Sequence, residues 1–507
     1  MPTTPAFDTL TDLLAVGRAD APALAEPGGA RLTYGELRAT VEDFARGLRA
    51  LGVSHGQTVA LALPNGIAIV AAFLGIARAG AVAAPLNPAY TRDEFAFYLE
   101  DIGPALLLVP PGAGDAARAA AQGLGIAVAE VTVDAEGRIR ATDRSYDGAL
   151  APSEPGDVAL FLHTSGTTSR PKGVPLRHQN LCASARNIAQ WYRLTDADVS
   201  LCVMPLFHIH GIVFSTLAFL RVGGSEVVPP KFSAGAFWPT VAAERATVVS
   251  AVPTIYRTLL LRADEDGAPQ PGAHGLRFLR SSSSALPAAE FHKLEARFGV
   301  PVIEAYSMTE AAHQMCANPL TGERRAGSVG VGAHVEVGIM DDDGNLVPTG
   351  AEGEVVVKGR NVMSGYHNNP AANAAAFSGG WFRTGDRGKL DQHGYLTLVG
   401  RIKELINRGG EKISPVEIDE VLAQHPGVIE VVTFALPDEK YGEDVAAAVI
   451  VRDGTSEQEL RDYVGTRLAA FKVPKRFFVT DAIPKTATGK VQRRIVAAAF
   501  APKPERA

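Results

Sequence analysis

Short apolar runs alternate along the chain with stretches in which apolar residues recur every three or four positions. Thr58–Leu63 and Ala105–Val109 read as strands, and Asp93–Leu99 between them reads as part of a helix opened by Thr91, whose hydroxyl suits the first free N–H groups. Val158–Leu162, Val199–Val203, Thr247–Ala251 and Pro301–Glu304 are further strands, separated by helical segments. Such alternation predicts parallel sheets covered on both faces. The densest apolar stretch, Val59 to Leu86, is broken by Pro64, Asn65, Gly66 and Arg78. It reads as strand, turn, buried helix and strand, not as a membrane span.

Near Gly327 the pattern changes. Val335–Met340, Glu354–Lys358 and Tyr395–Val399 are strands joined by glycine-rich turns, a small β-rich subdomain. After Gly400 it changes again: Ile402–Asn407, a helix Pro415–Gln424, strands Val428–Ala435 and Val445–Val451, and a helix Ser456–Leu468 make a compact α+β unit. The expected fold is therefore α/β. A large N-terminal region of α/β sheets with a β-rich subdomain spans residues 1–400, and a smaller, mobile α+β C-terminal domain spans 401–507. A length of 507 residues also favours more than one core.

Composition narrows the function classes. Hydrophobic residues are 46% and charged residues 21%, ordinary for a globular chain, and a net charge of −6 offers no basic excess for nucleic acid. Cys182, Cys202 and Cys316 have neither CxxC spacing nor a paired framework, so a disulfide scaffold and a structural zinc site are disfavoured. The N-terminal MPTTPAFDTL has no basic-then-apolar leader and the C-terminal KPERA is no peroxisomal tripeptide, so the expected location is the cytoplasm.

Two loops could hold phosphate. Gly112–Ala117 fits a relaxed GxGxxA pattern but has no acidic ribose partner in the next unit, and a plain strand-to-helix turn explains it. A dinucleotide oxidoreductase would rest on this loop alone. The second, Thr164-Ser-Gly-Thr-Thr-Ser-Arg-Pro-Lys-Gly173, follows a buried strand and packs five hydroxyls, two glycines and a lysine into ten positions. Backbone N–H groups and hydroxyls of that kind cradle phosphate oxygens, and Lys172 adds charge.

This loop resembles the signature of the adenylate-forming superfamily of acyl-CoA synthetases, luciferases and adenylation domains. Pro205-Leu-Phe-His-Ile-His-Gly211 is similar to its gate segment, Tyr306-Ser-Met-Thr-Glu310 to YxxTE, Thr384-Gly-Asp386 to TGD, Gly400–Asn407 to the hinge motif and Pro484–Lys490 to the terminal lysine motif, all in the family's order. The resemblance spans essentially the whole chain. It implies nucleotide contacts from Thr164, Ser165, Gly166, Thr167, Thr168, Lys172, Ser284, Glu304, Ala305, Tyr306, Thr309, Asp386, Arg401 and Lys490. Glu310 would hold Mg2+, for which a hard carboxylate is suited, and Thr309 would donate to the α-phosphate. Tyr306 would offer adenine a flat face, Asp386 would accept the ribose hydroxyls, and Lys490 would neutralise charge building on the α-phosphate. The resemblance places the hinge at Lys403. Rotation there would replace Lys490 by the face Arg408, Gly409, Gly410 and Glu411, past which coenzyme A would reach the site.

The implied reaction joins a small carboxylic acid, ATP and CoA, with no nucleic acid and no membrane span. The gate stretch Phe207–Ser215 has no aspartate to pair with an amine, so amino-acid activation is disfavoured; no carrier domain follows residue 500, which favours a free thiol. Arg280-Ser-Ser-Ser-Ser284 and His313 are poor linings for a fatty acid. Together with LFLHTSGTTSRPKGVPL, PLFHIHG, EAYSMTEAAHQM and ELINRGGEKISP they resemble the oxalyl-CoA synthetase branch. His208, also a catalytic candidate, would then join Ser283 and His313 around the second carboxylate of oxalate. The alternative acid is another short- or medium-chain one, such as malonate.

Overall fold

The computed structural model describes residues 7–164, 171–486 and 490–500. Two large sheets dominate it. One runs Lys172–Arg177, Val158–Thr164, Val82–Pro85, Thr58–Leu61, Leu106–Val109, Ala127–Glu130. The other has nine strands, from Val331–Gly332 through His313–Ala317, Val302–Met308, Phe278–Ser281, Val248–Ala251 and Val199–Leu201 to Ser225–Val227, Pro22–Ala25 and Arg31–Thr33. Their inner strands are parallel, as the alternating pattern predicts. Val82–Pro85, Leu106–Val109 and Val248–Ala251 are buried along their whole length, because helices cover both faces of a parallel sheet. One apolar cluster joins the two sheets, taking in Val59, Leu108 and Leu160 on one side and Val248, Phe278 and Ile303 on the other. The helices Ile67–Arg78 and His178–Trp191 are buried for most of their length and belong to it. Thr91 caps the helix Arg92–Ile102 through a reciprocal bond pair with Glu94.

Two of the antiparallel pairings in these sheets carry candidate residues. Val158–Thr164 turns back into Lys172–Arg177, with Thr164 opposite Lys172. Val302–Met308 turns back into His313–Ala317, with Met308 opposite His313. At the second reversal only the short turn Thr309–Ala311 intervenes, and antiparallel strands need no longer connection. The β-rich subdomain is an antiparallel sheet of Glu336–Met340, Glu352–Lys358, Trp381–Leu390, Phe377–Ser378 and Leu396–Arg401.

The smaller C-terminal domain has its own sheet, built on the long pair Val428–Asp438 and Gly442–Val451. The helices Pro415–Leu422 and Glu457–Gly465 are capped by Ser414 and Ser456. Its core of Ile406, Ile418, Leu422, Val445 and Leu460 is separate from the large one. A single exposed helical turn, Ile402–Glu404, connects Leu396–Arg401 to Ile406–Arg408. Among the described residues no helix is long and apolar enough to cross a membrane.

Candidate active site

Two cavities share Ser283, Ser307, Arg401 and Lys490. One, of about 850 Å³, is lined by Ser284, Glu304, Ala305, Tyr306 and Asp386. The other, of about 1680 Å³, is lined by Thr164, Lys172, His208, Thr309, Glu310, Tyr366 and Lys403. Candidates spread over more than three hundred residues of sequence thus face one cleft. Ser165, Gly166, Thr167 and Thr168 lie outside the described residues. The hairpin holding Arg408, Gly409, Gly410 and Glu411 lines neither cavity. Arg408 instead pairs with Asp444 at 2.7 Å and stacks on Tyr441 at 4.0 Å. Gly409 and Gly410 sit at φ of 61° and 99°, a region that favours glycine. The loop 112–117 is an ordinary turn into the helix Asp115–Gly123, and the Gly112 N–H donates to the Glu130 carboxylate at 3.3 Å. An acidic neighbour there opposes phosphate binding.

At the nucleotide end Asp386 is held by two partners. Asp386 lies directly across the sheet from Arg401, and their ion pair spans 3.2 Å. The Tyr306 hydroxyl donates to the same carboxylate, so this tyrosine fixes Asp386 as well as offering its ring. Burial and the adjacent carboxylate push the Tyr306 phenol well up, and the charge of Asp386 holds the Arg401 guanidinium above its ordinary value. Glu304 is buried and its carboxyl is pushed up to about 8 by desolvation; its Oε1 accepts from the Leu286 N–H at 3.1 Å. Its side chain is therefore neutral at pH 7 and braces the main chain.

Thr309 and Glu310 sit in the tight turn Thr309–Ala311 at the tip of the second hairpin. Glu310 accepts from the Tyr366 hydroxyl at 2.9 Å, and its carbonyl accepts from the Met363 N–H at 2.7 Å. The Lys172 ammonium lies 4.0 Å from the centre of the Tyr366 ring. Tyr366 thus links the phosphate-loop lysine to the acidic candidate, and no sequence motif marked it. Among the described residues no cluster of three or more metal-ligating side chains occurs. A single Glu310 carboxylate on a cleft with room for a triphosphate still fits Mg2+, which keeps several waters and takes phosphate oxygens.

Lys490 lies beside the bridge between Lys485 and Val491, and the Lys490 N–H donates to Thr486 Oγ1 at 3.1 Å. Burial first, and then the charge of Arg401, lower its ammonium pKa. An ion pair of 3.5 Å joins Arg257 of the large domain to Glu430 of the small one in this orientation.

The acyl end is built differently. His208 Nδ1 accepts from the His210 N–H at 3.3 Å, which leaves its Nε2 to carry the proton. Burial, and then Lys490, push His208 down to about 4, so it is neutral at pH 7. His210, which opens the buried π-helical segment His210–Leu217, reaches Ser283 Oγ at 3.1 Å and Ser250 Oγ at 2.6 Å. Arg280, fully buried, donates to Ser250 Oγ at 3.0 Å, to the Tyr192 hydroxyl at 3.0 Å and to Gln314 Oε1 at 3.2 Å. His313 is fully buried beside His210, ring centres 4.9 Å apart, and both its ring nitrogens lack a partner among the described residues. Ser283, Ala312 and His313 have φ of 72°, 46° and 98°. Non-glycine residues hold that region only where their surroundings enforce it.

Comparison with known proteins places this geometry. The AMP-binding enzyme family matches residues 14–367, and the AMP-binding enzyme C-terminal domain matches residues 417–490. The oxalate–CoA ligase of Arabidopsis thaliana is 47% identical, over 98% of this chain and 99% of that protein. The oxalate–CoA ligase of Saccharomyces cerevisiae is 44% identical, over 89% and 88%. The crystal structure of ATP-bound MatB from Rhodopseudomonas palustris superposes with a TM-score of 0.89 at 31% identity, covering 97% of this chain and 99% of that one. The apo form of MatB, with the same coverage, gives 0.79. The two-domain architecture, the shared cleft and these matches agree: the chain belongs to the AMP-binding enzymes, as an acyl-CoA ligase of the adenylate-forming superfamily.

Proposed function

We propose that this ligase acts on oxalate in two half-reactions. In the first, one carboxylate oxygen attacks the α-phosphorus of ATP and pyrophosphate leaves. In the second, the thiol sulfur of CoA attacks the acyl carbon, its proton is lost and AMP leaves. The observation that carries the choice of acid is Arg280, a cation buried at the acyl end near three imidazoles and, among the described residues, with no carboxylate paired to it. Neutral His208, Ser283 and His313 supply hydrogen bonds to the second carboxylate, which is very costly to bury unpaired. The names of the Arabidopsis and yeast relatives support the same acid. Malonate is one carbon longer, and a medium-chain acid calls for an apolar lining, so both are disfavoured.

Lys490 neutralises charge on the α-phosphate, Thr309 donates to it, and Asp386 with Arg401 holds the ribose. Lys172 and the loop 164–173 take the terminal phosphates. Glu310, steadied by Tyr366, holds Mg2+, which when bound offsets the phosphate charge. The domain division falls at 400/401 and rotation occurs at Lys403, in the exposed turn Ile402–Glu404. That rotation withdraws Lys490 and brings in Arg408, Gly409, Gly410 and Glu411 for CoA. The better fit to ATP-bound than to apo MatB supports assigning the present orientation to adenylation. The reaction is placed in the cytoplasm. Oxalate-dependent exchange of labelled pyrophosphate into ATP, abolished by removing Mg2+, is the expected result; no exchange with any acid of a broad panel would refute the adenylation step.

A further inference from the structure

The acyl pocket has a buried back wall that no cavity-lining residue reveals. Arg280, Ser250, His210 and Ser283 form a continuous hydrogen-bonded chain with links of 3.0, 2.6 and 3.1 Å. Arg280, Ser250 and His210 are 0%, 1% and 0% exposed, whereas Ser283 borders the cleft. The elements involved are the neighbouring strands Phe278–Ser281 and Val248–Ala251 and the π-helical segment.

Donor and acceptor counting fixes the direction of this chain. A guanidinium has donors only, so Ser250 Oγ must accept from Arg280. The Ser250 hydroxyl proton then has one partner along the chain, His210 Nε2, which must be a bare acceptor. A buried hydroxyl proton with no acceptor would be costly. His210 therefore carries its proton on Nδ1 and donates it to Ser283 Oγ. Ser283, accepting from His210, is left with its own proton free for the cleft. His208 is oriented the same way, because its Nδ1 accepts from the His210 N–H and its Nε2 carries the proton. Every link thus points positive charge from Arg280 toward the acyl ligand.

Arg280 also lacks a counter-charge. Its partners are the neutral Tyr192, Gln314 and Ser250, and its guanidinium lies 4.5 Å from the Phe214 ring centre. A buried cation without a carboxylate is expensive. The same charge also keeps His210 and His313 neutral, after the larger effect of their burial.

We infer that Arg280, Ser250 and His210 form a one-way donor relay, ending at Ser283, that selects acids bearing a second negative charge. The three are positioning residues: they act through Ser283 and never touch the substrate. The inference rests on the reading of this pocket as the site of a small dicarboxylate. It goes further in naming where the selecting charge resides and which histidine tautomer delivers it. Chains of this kind polarise one another in a low-dielectric interior. A dianion gains from that polarisation, and an uncharged group of the same size gains little.

Two measurements test it. The first is a nitrogen-15 spectrum of the ligand-free wild-type enzyme with labelled histidine, the His210 signals being assigned by their loss in His210→Asn. The expected result is a protonated Nδ1 and a bare Nε2 at neutral pH; a protonated Nε2 or an imidazolium overturns the relay. The second is calorimetric binding of oxalate and of oxamate, which replaces one carboxylate by an amide of similar size. Ser250→Ala is expected to lower the preference for oxalate over oxamate about tenfold, and Ser250→Thr, which keeps the hydroxyl, to restore it to within about threefold. A merely structural serine would weaken both ligands equally and leave the ratio unchanged, which would overturn the inference. Should Ser250→Ala fail to fold, the wild-type tautomer still decides. A wild-type enzyme that prefers another acid refutes the oxalate reading while leaving the tautomer result to stand or fall by itself.

Discussion

The two ends of the cleft solve the same problem, holding an anion, in opposite ways. At the nucleotide end two carboxylates have protein partners: Asp386 with Arg401 and Tyr306, Glu310 with Tyr366. At the acyl end a fully buried arginine has only neutral partners, and a fully buried histidine has none among the described residues. ATP carries its own charges and metal to the site, so paired side chains need only orient it. A small dicarboxylate is too short to reach solvent with its far end, so the protein must hold the compensating charge in reserve. The first end is therefore generic to nucleotide binding, and the second is where selectivity resides.

The sharpest way to break this comparison is to remove the cation shared by both ends. Lys490→Ala is expected to lower adenylation about 10²–10³-fold, the loss typical of one aimed donor at a developing charge. Thioester formation from pre-made acyl-adenylate should change less than about threefold, because the proposed rotation withdraws Lys490. Equal loss in the two half-reactions, followed by quenched AMP and thioester assays, would contradict that division. Next in size is His313→Ala, which should lower kcat/KM for oxalate by about ten- to a hundredfold, as expected for one charge-assisted bond. A monocarboxylate should suffer much less. Equal effects on both acids would make the acyl end an ordinary packing surface.

The smallest effect concerns pH. Burial, and then Lys490, push His208 down from 6.5 to about 4, and burial pushes His178 down to about 4 as well. Between pH 6.5 and 4 the unfolded chain binds more protons at these sites than the folded one. Their contribution to stability is therefore complete above pH 6.5 and is lost as pH falls through 4. Melting temperatures should drop across that window, whereas the pH profile of kcat/KM for oxalate should show no imidazole step near 6.5. A clear step there would mean that a histidine at the acyl end titrates in the usual range.

The same contrast governs what the sequence reveals. The nucleotide end is legible because its chemistry lies in consecutive residues: YSMTE, TGD and the terminal lysine segment each place several groups on one turn. The alternation of strands and helices likewise predicts the parallel sheets, the β-rich subdomain and the smaller C-terminal unit. The acyl end is scattered, one residue per element: Tyr192, His210, Ser250, Arg280 and Gln314 come from a helix, a π-helical segment and three strands. No spacing marks them, since only the stacking of neighbouring strands brings them together. Ser283 and His313 were visible as polar residues in the wrong place for a fatty-acid pocket and His208 as part of the gate segment, but His210 drew no role within that segment and Ser250 none within its strand. The antiparallel pairing of Val158–Thr164 with Lys172–Arg177 and of Val302–Met308 with His313–Ala317 was hidden for a related reason, because strand and helix patterning carries no sign of strand direction.

The central claim is that the reserve of positive charge at the acyl end specifies a small dianion. The most direct test is kcat/KM of the wild-type enzyme for oxalate, malonate and hexanoate with saturating ATP and CoA, read by AMP release. The expected order is oxalate first, with malonate well behind and hexanoate last; a rate constant for hexanoate equal to or above that for oxalate would contradict the account.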